Sequence, residues 1–143
     1  MIQVRRPDAA TVERYRTERL DARPTCRPTG EPLAGYHRDR VETVLGRGGE
    51  VFARASEGLR RWAAHRHAGV EVLPSDAALV QGQVVALVTR QLGLWVLAAC
   101  RIESVLDTPS AFGFTYPTLP DPPEQGSESF TVRLGDDSAV TFA

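Results

Sequence analysis

The residues best suited to acid–base chemistry lie in the last third of the chain. A segment of alternating aromatic and small residues is followed by two acids, and the set comprises Phe112, Phe114, Tyr116, Glu124 and Glu128. A carboxyl group buried beside a phenol has a raised pKa and can act as an acid or a base. Tyr116 and Glu124 are therefore predicted catalytic residues, and Glu128 is a second partner for the phenol. The alternative is ordinary core packing of the three aromatic side chains with a satisfied hydroxyl.

A charged pair, Arg101 and Glu103, follows an apolar segment that is typical of a strand. Alternate residues of a strand share a face, so the pair would lie on the same side as Trp95. The pair marks either a strand end that emerges into water or a polar anchor inside a pocket. In the second case the guanidinium of Arg101 can hold a carboxylate or enolate oxygen, which makes it a third predicted catalytic residue.

The histidines, cysteines and glycines match no established catalytic or metal motif. His65 and His67 are two residues apart near a helix end, where cations favour the helix dipole. Neither a zinc-ligand spacing nor a G-x-S-x-G motif is present, so no metal and no cofactor are expected. Cys26 and Cys100 are expected to be unpaired thiols. The glycines at 46–49 predict a tight turn before a helix, with an anion site at the helix start as the alternative.

The elements that must position these residues follow from periodicity. Residues 8–22 predict a short surface helix capped by Asp8. Residues 50–69 carry apolar side chains at helical spacing and predict the main helix, which ends at Gly69. Strands are predicted over 36–45, 70–73, 84–89, 94–106, 111–117, 129–134 and 138–143.

These elements predict an α+β fold in which a curved antiparallel sheet of about six or seven strands grips one main helix around an internal cavity. No long C-terminal lid helix follows the last strand. Residues 1–35 are expected to form a helix and a proline-rich connection, and residues 36–143 the gripping domain.

Composition narrows the class of protein. The chain has 143 residues, of which 42% are hydrophobic and 24% charged, as in an ordinary globular domain. All 17 basic residues are arginines, and they are interleaved with acids, so nucleic-acid binding is not expected. No apolar run is long enough to span a membrane and no signal peptide is recognised. A cytoplasmic location is therefore expected.

Several motifs resemble an uncharacterised family, domain of unknown function number nineteen-ninety. The resemblance covers roughly residues 25–142, and its most specific part is GFTYPTLP followed by EQGSESF. The other matching motifs are AGYHRDR, LGRGGEVFARA, LRRWAAHRHAGV and ACRI. Members resemble the START-like, or pollen-allergen-like, helix-grip group, which implies a curved sheet around a ligand cavity.

The resemblance implies a set of residues around that cavity, with the main helix as its floor and His37 at its mouth. The expected ligand-binding residues are Tyr36, His37, Trp62, Trp95, Phe112, Phe114 and Glu128.

This chain departs from the family pattern in two places, and both limit which family properties can be assigned to it. The family has a glycine–histidine pair where this chain has Asp121 and Pro122, so no role of that histidine is carried over. The family also continues into a basic helix that lids the cavity, whereas this chain stops at Ala143, which leaves an open groove, a lid from a homodimer or another partner, or a longer natural protein.

Three classes of function are compatible with this pattern. The first is non-catalytic binding of a small apolar or amphipathic molecule, which needs only a cavity and a few polar anchors. The second is a cofactor-free enzyme of specialised metabolism, such as a cyclase, dehydratase or isomerase. The third is an interaction protein without a cavity. The sequence does not decide whether the chain is an enzyme, because one fold supports many functions.

Overall fold

The computed structural model describes residues 1–24, 40–121 and 126–143, which form three helices and nine strands. The helices are α1 (Ala9–Thr17), α2 (Gly49–Arg60) and α3 (Ala63–His67). The strands are β1 (Ile2–Gln3), β2 (Thr43–Arg47), β3 (Glu71–Leu73), β4 (Val84–Gln91), β5 (Leu94–Arg101), β6 (Ser104–Thr108), β7 (Ala111–Pro117), β8 (Ser127–Leu134) and β9 (Ala139–Phe142). The predicted α+β class is confirmed.

The strands pair antiparallel in two sheets, of order β1-β5-β4-β3 and β2-β9-β8-β7-β6. The prediction of one strand over 94–106 is wrong, because the chain passes from the first sheet to the second between Ile102 and Glu103. The amide of Ile102 donates to the carbonyl of Gln83 at 2.9 Å, and the next amide, of Glu103, donates to Thr115 of β7 at 2.9 Å. The side chain of Ile102 is fully buried, so this change of partner lies in the core.

The main helix is divided in two at Trp62. The backbone of Trp62 is left-handed, with φ 61°, so α2 ends at Arg60 and α3 begins at Ala63. A non-glycine residue rarely adopts this conformation. Here the indole ring is buried and its Nε1 donates to the carbonyl of Ala77 at 2.9 Å. Gly48, with φ 94°, caps the start of α2, and Gly69, with φ 79°, follows α3 as predicted.

The N-terminal helix packs on the four-stranded sheet. As predicted, Asp8 caps it, since the carboxylate accepts from the amide of Thr11 at 2.7 Å. Val12 and Tyr15 are buried in a core that includes residues of β4 and β5, so α1 contributes more to the core than a surface helix would. Strand β1, which was not predicted, pairs with β5 beside it.

The remaining strand predictions agree with β3, β4, β7, β8 and β9. Strand β2 starts at Thr43, and residues 36–39 of the strand predicted there lie outside the described residues. The division of the chain at residue 35 likewise falls outside them and stays a prediction. Among the described residues, no helix has both the length and the apolar character needed to cross a membrane.

Candidate functional site

An aromatic cluster fills the space between α3 and the five-stranded sheet. Phe114 of β7 pairs with Phe130 of β8, and the ring of His65 from α3 lies 4.7 Å from the Phe130 ring and 5.0 Å from the Trp62 ring. The cluster consists of Trp62, His65, Phe114, Tyr116, Phe130 and Phe142. Alternation along β7 brings its aromatic residues to this face, as the sequence pattern predicts.

A hydrogen-bonded chain of three polar side chains runs through the aromatic cluster. The hydroxyl of Tyr116 lies 2.8 Å from Nε2 of His65 and 3.0 Å from a carboxylate oxygen of Glu128. The hydroxyl donates its proton to Glu128, so Nε2–H of His65 donates to the tyrosine oxygen. The imidazole is therefore the Nε2–H tautomer. Its Nδ1 lone pair is buried and has no hydrogen-bond partner in the described structure.

The electrostatics of His65 follow from its surroundings. The residue is 5% exposed, and burial lowers the pKa of its imidazole from 6.5 to about 4. His65 is therefore neutral at pH 7, and its interpretation as a cation that favours the helix dipole is wrong. Burial, and then the charge of Glu128, raise the pKa of Tyr116 far above its ordinary value, so its phenol stays protonated.

Replacing Tyr116 by phenylalanine is expected to lower the free energy of unfolding by about 1–2 kcal/mol. The substitution leaves the buried Nε2–H of His65 without an acceptor, and a lost buried hydrogen bond costs about this much. Urea unfolding followed by fluorescence measures the change. The matched variant Glu128→Gln keeps an acceptor at the exposed end of the chain and should lose less. Equal losses in both variants would contradict the assignment.

An open pocket lies beside the aromatic cluster, between α2 and the β6–β7 hairpin. Its volume is about 250 Å³, and this helix–sheet pocket is lined in part by Phe52, Ala53, Ser56, Arg60, Asp107 and Phe112. Phe52, Ser56 and Arg60 are spaced four residues apart, so they form one stripe along α2. The side chain of Ser56 is buried, and its Oγ has no hydrogen-bond partner in the described structure.

The rim of this pocket is charged but balanced. The guanidinium of Arg60 lies 4.0 Å from the centre of the Phe112 ring and 3.1 Å from the carboxylate of Asp107. Both charged side chains are about half exposed, so the pair contributes little to stability. Glu57 also lines the pocket and pairs with Arg61 at 2.9 Å. The pocket therefore has aromatic walls, and its charged lining residues are paired.

A second open pocket, of about 340 Å³, lies at the corner between α2 and α3 and includes Arg61 and Arg66. Its arginines are already engaged, since Arg61 pairs with Glu57 at 2.9 Å and Arg66 donates to the carbonyl of Ser75 at 2.6 Å. Arg60, which also lines this pocket, pairs with Asp107, so two of its arginines are paired with carboxylates and Arg66 is hydrogen-bonded to a neutral carbonyl.

The structure brings some of the predicted site residues together and separates others. Trp62, Phe112, Phe114, Tyr116 and Glu128 lie on the helix-facing side of the five-stranded sheet. Two others belong to the four-stranded sheet, namely Trp95 and Arg101. Tyr36, His37 and Glu124 lie outside the described residues, as does Cys26.

Arg101 and Trp95 contact the N-terminal part of the chain. The guanidinium of Arg101 donates to the carbonyl of Ala22 at 2.8 Å and to the carbonyl of Leu20. The ring of Trp95 packs against the core under α1, with the guanidinium of Arg6 5.5 Å from its centre. In this structure both side chains stabilise the attachment of the N-terminal segment to the sheet.

Asp121, at the first departure from the resembling pattern, has a comparable role. Its carboxylate accepts from the hydroxyl of Tyr15 at 2.6 Å and from the Met1 ammonium group at 2.5 Å. Burial raises the pKa of this carboxyl, but these two bonds and the charge of Arg19 together hold it below its usual range. Asp121 therefore attaches α1 to the segment that follows β7.

The sequence-based interpretation gave His65 the wrong role and overlooked Ser56. A signal was present for each. His65 continues the apolar positions Leu59 and Trp62 at a spacing of three residues, and Ser56 lies midway between Phe52 and Arg60. Among the described residues, no group of three or more His, Cys, Asp or Glu side chains could hold a metal ion.

Comparison with known proteins places this chain in a family. The model for a domain of unknown function, DUF1990, matches residues 19–143. This chain belongs to the DUF1990 family. The predicted family membership is thus confirmed.

Two relatives, both named UPF0548 protein, show how far the similarity extends. One, from Dictyostelium discoideum, is 30% identical over 105 residues, which cover 70% of this chain and 49% of the relative. The other, from Deinococcus radiodurans, is 28% identical over 161 residues, which cover 99% of this chain and 79% of the relative. The DUF1990 chain thus spans about half the length of the Dictyostelium protein. No solved structure matches it.

Proposed function

We propose that this DUF1990 protein binds a small apolar or amphipathic molecule, without catalysis, in the helix–sheet pocket. The observation that carries the proposal is open space of about 250 Å³ between the main helix and the sheet, walled by Phe52 and Phe112. Ligand sites are typically concave and mostly apolar, with a few polar groups that orient the ligand. The pocket has two aromatic walls with polar groups around them, and of the ligand-binding residues expected from the sequence Phe112 lines it.

The polar groups near the pocket favour binding over acid–base catalysis. Arg60 and Asp107 neutralise each other at the rim. The imidazole of His65, with its pKa lowered to about 4, is a weak base at neutral pH, and an effective catalytic base has a pKa near the working pH. The same proposal includes a cytoplasmic location and a homodimer or other partner that lids the pocket.

Blocking the pocket is expected to abolish binding. Ala53 is exposed on α2 and lines the pocket, so the indole ring of Ala53→Trp would occupy the space without disturbing the core. Toluene is a suitable apolar probe, titrated into labelled protein and followed by amide chemical shifts. We expect binding at least about tenfold weaker than in the unmodified chain.

The matched control for this experiment is Arg54→Trp. Arg54 is also exposed on α2 but is not among the residues that line the pocket, so this variant should bind toluene normally. Equal binding by both variants would refute the proposed site. The unmodified chain could bind neither toluene nor any co-purifying molecule that native mass spectrometry can detect. That result would favour an interaction protein instead.

A cofactor-free enzyme is the second candidate, and the observation that favours it is the chain from His65 through Tyr116 to Glu128. Acting as a base, Nδ1 of His65 would gain a proton from the substrate. The Nε2–H of the same ring would then donate to the oxygen of Tyr116, which is hydrogen-bonded to the carboxylate of Glu128. The two candidates differ in their response to Tyr116→Phe. A binder should retain its affinity within a few-fold, whereas an enzyme should lose about a hundredfold or more in rate. Exchange of ligand C–H for deuterium measures that rate.

A further inference from the structure

The buried hydroxyl of Ser56 narrows the class of ligand in the helix–sheet pocket. Ser56 is 8% exposed, and its Oγ has no hydrogen-bond partner in the described structure. A buried hydroxyl is nearly always hydrogen-bonded, because leaving it unpaired costs free energy. Ser56 also lines the pocket, but its Oγ atom is covered in this structure. Rotation about χ1 turns the hydroxyl toward a molecule bound there, which can then supply the missing partner.

The walls of the pocket favour a flat apolar body. Phe52 on α2 and Phe112 on β7 contribute two aromatic rings, which prefer to pack against another ring in an offset or edge-on arrangement. The guanidinium of Arg60, 4.0 Å from the centre of the Phe112 ring, adds a planar group at the rim.

The charges around the pocket disfavour an ionised ligand. Among the described residues that line it, Arg60 is paired with Asp107, and the second carboxylate, of Glu57, is paired with Arg61. An anionic ligand would have to displace Asp107 from Arg60 and would approach two carboxylates. A cation would have to displace Arg60 from Asp107 or Arg61 from Glu57. An uncharged molecule meets neither obstacle.

We propose that the pocket takes a small, uncharged aromatic molecule that carries a hydroxyl group, which Ser56 binds by a hydrogen bond. The serine hydroxyl both donates and accepts, so it can pair with a phenol or an aromatic alcohol in either direction. This inference rests on the proposed function, because it names the ligand class of the same site.

Three probes of similar size test the inference: p-cresol, toluene and p-toluate. We expect p-cresol to bind at least about fivefold more tightly than toluene, the value of one buried hydrogen bond, and p-toluate to bind most weakly. In Ser56→Ala the preference for p-cresol should disappear while the affinity for toluene is unchanged. Amide chemical-shift titrations measure all the dissociation constants.

The variant itself should fold normally, because Ser56→Ala removes a hydroxyl that makes no hydrogen bond to the described protein. Its melting temperature is expected to equal or exceed that of the unmodified chain. Ser104→Ala, on the exposed part of β6 outside the pocket, is the matched control and should retain the preference for p-cresol.

The outcomes separate the inference from the proposed function. If toluene and p-cresol bind equally well, or if Ser56→Ala retains the preference, the ligand class is wrong while the pocket remains a binding site. If p-toluate binds most tightly, the site is one for anions and the inference fails. If no probe binds and Ala53→Trp changes nothing, the proposed function fails as well.

Discussion

Acidification from pH 6.5 to about 4 is expected to remove about 3 kcal/mol of folding stability through His65 alone. Burial lowers the pKa of this imidazole from 6.5 to about 4, and each unit of difference between the unfolded and folded pKa is worth about 1.4 kcal/mol. The side chain is 5% exposed, so solvent screens this effect little.

The direction follows from where the proton binds. Between pH 4 and 6.5 the unfolded chain carries a protonated His65, whereas the folded chain keeps it neutral in the aromatic cluster. The unfolded state therefore binds more protons, and stability rises with pH across this window. The full contribution is present above pH 6.5 and is lost as the pH falls to about 4.

Urea unfolding at a series of pH values between 4 and 7 measures this dependence, and His65→Phe should flatten it. A phenyl ring suits the aromatic neighbours Trp62, Phe114 and Phe130 and does not titrate. His67, which is exposed at the end of α3, provides the control, since His67→Gln should leave the slope unchanged. A slope that survives in His65→Phe would show that other groups cause the acid sensitivity.

Replacing Gly113 by alanine is expected to destabilise the fold by roughly 3 kcal/mol or more, the upper range for overpacking a core. A Cβ atom at this position would lie 2.3 Å from the carbonyl oxygen of Phe130 and 2.9 Å from the Cα atom of Thr131. Both atoms belong to the backbone of the neighbouring strand β8, so the clash is relieved only if β7 and β8 separate.

The consequence extends to the candidate site, because Phe114 and Tyr116 follow Gly113 along β7 and face the aromatic cluster. Thermal unfolding followed by circular dichroism measures the loss. Gly49→Ala is the control, since a Cβ atom there would meet nothing within 4 Å, and alanine favours the helix that begins at this residue. A stable Gly113→Ala variant would contradict the close approach of the two strands.

Features that depend on neighbouring residues could be predicted from the sequence. The cap at Asp8, the end of α3 before Gly69 and the alternation along β7 are all local, because capping and side-chain direction are determined within a few residues. The family resemblance was equally accessible, since it rests on motifs. The sequence offered Glu124 or Glu128 as the partner of Tyr116, and the antiparallel pairing of β7 with β8 brings Glu128 opposite it.

The features that decide the site depend on contacts distant in sequence. A single strand over 94–106 was reasonable locally, but hydrogen bonds to Gln83 and Thr115 assign its two halves to different sheets. This division separates Arg101 from the aromatic cluster. The helix break at Trp62 likewise follows from burial of the indole and its hydrogen bond to Ala77. The helical periodicity of the sequence indicates neither of these contacts.

The residues of this chain that could do chemistry were therefore only partly visible in its sequence. Residue type and spacing indicated the phenol of Tyr116 with Glu124 or Glu128 as its carboxylate partner, and the pairing of β7 with β8 places Glu128 opposite the phenol. Only the tertiary structure could show that His65 is neutral and that Ser56 has no hydrogen-bond partner within the described residues. Protonation and hydrogen bonding depend on burial, and burial is decided by how α2 and α3 pack on the sheet.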